Sequence, residues 1–200
     1  MIKVVVFDLD GVYFVNSHEN FKRNLREIFG LTDEQIVNVY FKSQQMKEYK
    51  LGKMDPDVFW SWAIAEWNIK TTKEAILKIM VAGYEINPQA QVLVEKLKDQ
   101  GIKIALCTNN FPERIRVIDD KLDFLKHFDV QVFSFEEGAA KPDYRIYERL
   151  IEETGVKAEE IVYFDDSEEA VAAAGNLGIR AFNYTTFEEM RNKISELIRN

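Results

Sequence analysis

Two carboxylates stand two residues apart at the end of an unbroken apolar run: Val4-Val5-Val6-Phe7 leads into Asp8-Leu9-Asp10-Gly11. Side chains at i and i+2 of a strand share a face, so Asp8 and Asp10 are expected side by side. Three further apolar runs, or the loops after them, end in polar residues of complementary chemistry. Thr108-Asn109 follow Ile102 to Cys107, Lys141 lies in the loop after Val130 to Phe133, and Asp165-Asp166 follow Ile161 to Phe164. As parallel strands of one sheet, the four runs bring these groups to its carboxyl edge, the crevice where ligands bind in open parallel sheets. Each pair of carboxylates gathered there costs roughly 4 kcal/mol at a separation of about 4 Å and an effective dielectric near 20. A divalent cation relieves that repulsion. An all-oxygen site with few protein carboxylates suits Mg²⁺, which keeps waters and favours phosphate partners. Lys141 and the Thr108 hydroxyl, with neighbouring backbone N–H groups, are then placed to bind phosphate oxygens.

Taken singly, each group also has a plainer reading. Asp8 to Gly11 reads as a solvated turn, Thr108 as a helix or turn cap, Lys141 as a surface lysine, and Asp165-Asp166-Ser167 as the cap of the next helix. Their joint occurrence, in this order and each after a strand-like run, favours a site.

The elements that must position these residues are set by periodicity. From residue 86 onward, helical and strand-like segments alternate, which implies right-handed parallel crossovers and an α/β fold with a doubly wound, Rossmann-like parallel sheet. Between the first strand and this region no strand is expected from 17 to about 84. There a helix carrying Phe21, Leu25, Ile28 and Phe29 follows the expected cap Asn16-Ser17 and ends at Gly30. Thr32 and Gln35 form a capping box, and a Lys-rich connector runs through Gly52. Asp55-Pro56 open a third helix with Trp60, Ala63, Ile64 and Trp67 inside, and Thr71/Glu74 box a fourth. The chain therefore divides into a core of 1–15 and 86–200 and an inserted small α-helical bundle, a cap, of 16–85, placed to act as a lid.

Other residues attract a chemical reading and a simpler one. The aromatic series Phe59, Trp60, Trp62 and Trp67 has helical spacing, which favours bundle core over a platform for a sugar ring. His18 and His127 are expected at surface or cap positions. Lys42, Lys47, Lys50 and Lys53 read as a solvated helix face in preference to a surface facing an anionic substrate.

The 200 residues, 46% hydrophobic, carry a net charge of −8, which argues against nucleic acid or an anionic membrane as the main partner. A single cysteine, Cys107 in an apolar run, suits a reducing compartment and a small core residue. The opening apolar run is too short for a secretory signal or a membrane span, so a cytoplasmic location is expected. Nothing in the sequence specifies an oligomeric state.

The four ordered segments resemble the motifs of the haloacid dehalogenase-like (HAD) hydrolase superfamily, and the helical insertion resembles the cap placed after its first motif. That resemblance covers essentially the whole chain. It implies Asp8 as a nucleophile forming an aspartyl-phosphate, and Asp10 as the acid that protonates the leaving group and later activates water. It implies that Thr108 and Lys141 hold the transferring phosphoryl, with Asn109 beside them as a substrate-binding residue. It also implies that Asp8, the Asp10 carbonyl and Asp166 bind Mg²⁺, with Asp165 behind them or joined through water. The run Ser134 to Gly138 leading to Lys141-Pro142, with Arg145-Ile146-Tyr147 and Phe164-Asp165-Asp166-Ser167, is similar to the sugar-1-phosphate phosphatase and epoxide-hydrolase N-terminal phosphatase branch. This similarity implies a phosphatase for a small phosphorylated metabolite, sugar phosphates included. Dehalogenases of the superfamily lack the equivalent of Asp10. Phe7-Asp8-Leu9-Asp10-Gly11-Val12 also resembles β-phosphoglucomutases, which makes a phosphotransferase the second reading and an idle binding protein of the same fold the third.

Overall fold

The computed structural model describes residues 1–199. Val4–Phe7 form β1, Lys103–Thr108 β4, Val130–Phe133 β5, Ile161–Asp165 β6 and Arg180–Asn183 β7. They make one parallel sheet in the order β5-β4-β1-β6-β7. Chain order reverses beside β1, which is the switch point of a doubly wound sheet. β1 is covered on both faces, which explains its apolar residues without alternation. Val5, Phe7, Ile104, Leu106, Val162 and Phe164 belong to the core under α6 (Pro88–Asp99), α7 (Pro112–Leu122) and α11 (Phe187–Arg199). Val4, Val6, Ala105, Cys107 and Tyr163 face α9 (Tyr144–Thr154) and α10 (Glu168–Asn176), whose Ala173 and Ala174 allow close packing on the sheet. Cys107 is fully buried, as its apolar run predicts. Phe7 is level with Leu106 and Phe164, so Asp8, Thr108 and Asp165 leave the sheet within a residue of one another.

After β1 the chain turns at Gly11, whose φ of 80° is left-handed, and its N–H donates to the Phe14 carbonyl at 3.0 Å. Val12 to Val15, an apolar run too short for a helix, contains β2 (Phe14–Val15), which pairs antiparallel with β3 (Glu85–Ile86). The helical insertion lies between these two strands. It consists of α1 (Ser17–Phe29), α2 (Asp33–Ile36) continued by a π-helical turn Val37–Phe41, α3 (Gln44–Lys50), α4 (Pro56–Glu66) and α5 (Lys73–Ala82). The Thr32/Gln35 capping box is present, and the Asp55 side chain caps α4 ahead of Pro56. Phe59, Trp60 and Trp67 are buried in the bundle as core.

Three local expectations are corrected. The Lys-rich stretch before Gly52 is itself a helix, α3, capped by Ser43, whose Oγ accepts from the Met46 N–H at 3.0 Å. The cap of α5 is Thr72, one residue later than the expected Thr71. Asn16 precedes α1 in a left-handed conformation without a side-chain cap bond, and the Ser17 hydroxyl is drawn away to Asp10.

The insertion is docked on the core at the ends of α5 and α3, besides the contacts of Ser17 and Tyr84 with Asp10 and Arg114. At the end of α5, Lys121 of α7 donates to the carbonyls of Val81 (2.9 Å), Ala82 (3.2 Å) and Tyr84 (3.1 Å), which lie at or beyond the last helical turn. At the end of α3, Tyr49 stacks on Phe111 with centroids 4.5 Å apart and donates its hydroxyl to Glu113. There Ser134 also donates to the Lys50 carbonyl at 2.6 Å. Among the described residues no helix is long and apolar enough to cross a membrane.

Gly52 makes this second contact possible. A Cβ at Gly52 would stand 2.3 Å from the Phe135 carbonyl oxygen, whereas one at Gly30, with the same φ of 67°, meets nothing within 4 Å. Gly30→Ala is expected to cost about 1 kcal/mol through the left-handed backbone alone. Gly52→Ala should cost at least about 1 kcal/mol more from the clash, read as the difference between the two variants in urea unfolding.

Candidate active site

Asp8 continues the backbone of β1 and is nearly buried. Its Oδ1 accepts from Lys141 Nζ at 2.7 Å, and the same ammonium donates to Asp165 Oδ2 at 2.5 Å. Lys141 reaches this position from the loop after β5 and its short helix α8 (Ser134–Glu137). The Asn109 side chain fixes the Lys141 backbone: Oδ1 accepts the Lys141 N–H at 2.8 Å and Nδ2 donates to its carbonyl at 2.9 Å. The Lys141–Pro142 peptide is cis. Asp165 also accepts from the Tyr163 hydroxyl and, at 2.8 Å, from the Ser167 N–H. One ammonium thus serves two buried carboxylates. Burial tends to neutralise Lys141, but Asp8 and Asp165 overcome it and raise its pKa. Asp8 is pushed up to about 7, first by burial and then by the charges of Asp165 and Asp10, against the pull of Lys141.

Asp10 is held from the opposite side. Its Oδ1 accepts from Arg114 Nη2 at 2.6 Å and from Ser17 Oγ at 2.8 Å, and the Tyr84 hydroxyl lies at 3.5 Å. Arg114 is only 2% exposed; its Nε donates to the Tyr84 hydroxyl at 2.7 Å and Nη1 to Asn110 Oδ1 at 3.2 Å. Burial alone raises Asp10, but the Arg114 guanidinium, with His18 and Ser17 assisting, holds its carboxyl well below the usual range. His18 Nε2 lies 3.4 Å from Asp10 Oδ1 and 3.2 Å from Arg114 Nη2. Burial, together with the charges of Arg114, Lys50 and Lys22, pushes the imidazole down to about 4, although Asp10 opposes this. A neutral His18 at pH 7 can then accept from Arg114 at Nε2.

Asp8, Asp10, Ser17, His18, Lys141 and Asp165 line one cavity of about 430 Å³, together with Gly11, Thr108, Asn109 and Asp166 of the core and Asn16, Glu19 and Lys50 of the insertion, while Arg114 and Tyr84 lie buried behind Asp10. All seven residues expected from the sequence are therefore on the cavity wall. One of them is engaged differently from expectation: the Asn109 amide is committed to the Lys141 backbone and so shapes the loop. The Asp165 carboxylate is turned to Lys141, Tyr163 and the Ser167 N–H. Thr108 is buried at the end of β4.

Four participants lay outside the expected set. His18 stands at the site and not on the surface, Lys50 lines the cavity where a solvated helix face was favoured, and Arg114 and Tyr84 attracted no functional reading. Arg114 follows Pro112 in the first turn of a helix, where an arginine ordinarily points to solvent, so the sequence alone carries no signal of its burial. His127 does lie away from the site, bonded to the Tyr13 hydroxyl at 2.5 Å.

Among the described residues no group of three or more His, Cys, Asp or Glu side chains forms a metal cage. The oxygen donors expected from the sequence are two carboxylates, Asp8 and Asp166, which share the cavity wall, and the backbone carbonyl of Asp10. Asp166 forms no ion pair among the described residues, and its pKa is raised by burial and by Asp165. Its Oδ2 lies 3.6 Å from the place a Cβ on Gly11 would occupy, so the glycine keeps that side of the carboxylate open. Few carboxylates, oxygen donors only and a shortage of positive charge fit a hard divalent cation that retains several waters.

The model of the haloacid dehalogenase-like hydrolase family matches residues 2–178. A phosphorylated carbohydrates phosphatase of Thermotoga maritima is 38% identical over 97 residues, which span 46% of this chain and 43% of that protein, less than half of its length. The phosphatase MT3486 of Mycobacterium tuberculosis is 27% identical over 90% of this chain and 86% of its own. In structure, the chain is similar to the HAD family enzyme bt-2542 of Bacteroides thetaiotaomicron, solved with magnesium and inorganic phosphate. The TM-score is 0.76 at 20% identity, over 92% of this chain and 94% of that one.

Removing one partner of a buried ion pair leaves the other charge uncompensated. Because the Asp10 side chain retains 20% exposure, Arg114→Met is expected at the lower end of the range for such losses, about 3 kcal/mol. Thermal and chemical unfolding check this, with Arg114→Lys expected to recover part of the loss.

Proposed function

The chain belongs to the haloacid dehalogenase-like hydrolase family, and from that premise we propose that it is a Mg²⁺-dependent phosphatase acting on a small phosphorylated metabolite through an aspartyl-phosphate. One observation carries the reading: Lys141 bridges Asp8 and Asp165 at the end of the central strand, with Asp10, Thr108 and Asp166 on the wall of the same cavity. The names of the phosphatases that resemble the chain support it.

In this reading Asp8 is the nucleophile. Lys141 holds its Oδ1, while Oδ2 makes no side-chain hydrogen bond among the described residues. Attack by Asp8 on phosphorus forms the Asp8 O–P bond as the bond from phosphorus to the leaving oxygen breaks, and the Asp10 carboxyl gives that oxygen its proton. A water then attacks the same phosphorus and yields its proton to Asp10. Inorganic phosphate leaves as the Asp8 O–P bond breaks. Arg114 favours the ionised Asp10 that the second half requires. An entering phosphoryl dianion opposes Arg114 by charge and helps Asp10 hold the proton for the first half. Lys141 and the Thr108 hydroxyl bind the equatorial phosphoryl oxygens. Mg²⁺, held by Asp8, the Asp10 carbonyl and Asp166, supplies positive charge to the crowded carboxylates and the phosphoryl group. Residues 16–85 act as a cap over this site and 1–15 with 86–200 as its core, an enclosure that favours small substrates over phosphoproteins.

Purified protein should release phosphate from p-nitrophenyl phosphate in the presence of Mg²⁺ and lose that activity in EDTA. Asp8→Asn should lower turnover by at least about 10³-fold, the scale seen when a covalent nucleophile is removed. Turnover of Asp8→Asn equal to that of the unmodified protein would remove Asp8 from the nucleophile role.

A further inference from the structure

Lys50 ends α3 and lines the cavity from the insertion side. Its ammonium forms no ion pair or side-chain hydrogen bond among the described residues, although it is half-buried. Except for Asp166, which is the proposed cation ligand, the flanking charges are matched without it. Arg114 is paired with Asp10, Lys141 with Asp8 and Asp165, and Glu19 on the insertion side with Lys22. Its backbone is fixed with care. The Lys50 carbonyl accepts from Ser134 Oγ at 2.6 Å, and that hydroxyl in turn accepts from the Asn110 N–H at 3.0 Å. The neighbouring Tyr49 is clamped between Phe59 and Phe111, with centroids 4.6 and 4.5 Å away. Burial, then Arg114, push Lys50 down to about 8, which leaves it mostly protonated at neutral pH. Lys50 enters the cavity from the insertion, whereas the residues assigned to the phosphoryl group, Asp8, Asp10, Thr108 and Lys141, all belong to the core.

We propose that Lys50 is a specificity-determining residue that binds an anionic oxygen group on the leaving-alcohol part of the substrate. The preferred substrates are then phosphomonoesters carrying a carboxylate or a second phosphate, in preference to esters of neutral sugars. This rests on the phosphatase reading above. The physical basis is that an ammonium removed from bulk water without a counter-charge gains more from an incoming anion than from a hydroxyl. The basic stretch of the insertion thus contains one residue that faces substrate, while Lys42 and Lys47 on the same stretch are exposed.

The test uses two matched pairs of substrates: phosphoglycolate against ethyl phosphate, and fructose 1,6-bisphosphate against fructose 6-phosphate. The protein should favour the anionic member of one pair by about 10-fold in kcat/KM, mainly through KM, the scale of one charge-assisted hydrogen bond. Which pair responds distinguishes the carboxylate from the phosphate. Lys50→Met should abolish that ratio, Lys50→Arg should retain it, and Lys47→Met should leave it intact. Absence of a preference in both pairs, or an equal loss by Lys50→Met on both members of the responding pair, overturns the proposal. Calorimetric binding of phosphonoacetate and ethylenebisphosphonate, each against ethylphosphonate, reads the same discrimination without turnover. If no substrate releases phosphate, the phosphatase reading fails, and the calorimetric comparison of the unmodified protein with Lys50→Met still decides the role of Lys50.

Discussion

Negative charge is crowded at the carboxyl end of β1. Asp8, Asp10, Asp165 and Asp166 line one cavity, and Lys141 on its wall and Arg114 behind it are the buried cations paired with three of them. Much of the surrounding structure serves this charge distribution. The strand order puts β1 at the switch point, so that β4 and β6 deliver Thr108 and the aspartates on either side of it. The Asn109 amide fixes the backbone of Lys141, and Tyr163 and the Ser167 N–H fix Asp165, so the single ammonium can meet both carboxylates. Buried ion pairs contribute little net stability, since desolvation offsets attraction. Their retention here fits a site in which charge must be available to a ligand.

The two sides of the cavity differ in how their carboxylates are held. Asp8 shares its cation with Asp165 and is easily neutralised, whereas Asp10 has Arg114 largely to itself and stays ionised. Two acids on one short segment are thereby driven apart in proton affinity, in the sense opposite to their proposed roles, so a bound cation would have to lower Asp8 and a bound phosphoryl group to raise Asp10. The first partners come from the core loops and the second from α7, with α1 and the Tyr84 turn closing around them.

The fold and the core half of the site were legible because both rest on local patterns. A parallel strand buried on both faces must be apolar, and the polar residue that ends it is visible in the sequence; Asp8, Thr108 and Asp165 illustrate this. The Lys141 loop was recognisable by its order among these segments. The half of the site where the insertion meets the core was not legible for a physical reason. Arg114, Tyr84, His18 and Lys50 sit on helices or turns whose inward direction depends on how the insertion packs against α7 and α8, a long-range relation that helical periodicity does not encode. Polar residues in such positions break the apolar pattern and read as solvated. Asn109 and Asp165 show the converse: sequence placed them at the site, but only the hydrogen-bond partners reveal that they hold Lys141 in place.

The two short strands β2 and β3 lie side by side, so the chain enters and leaves the insertion through neighbouring residues, Phe14 opposite Ile86 and Val15 opposite Glu85. A segment bounded in this way can be lengthened, shortened or exchanged without altering the order or register of the sheet. Under the proposed function, the residues that select a molecule can therefore differ without disturbing those that transform it, and the paired strands are the seam between the two.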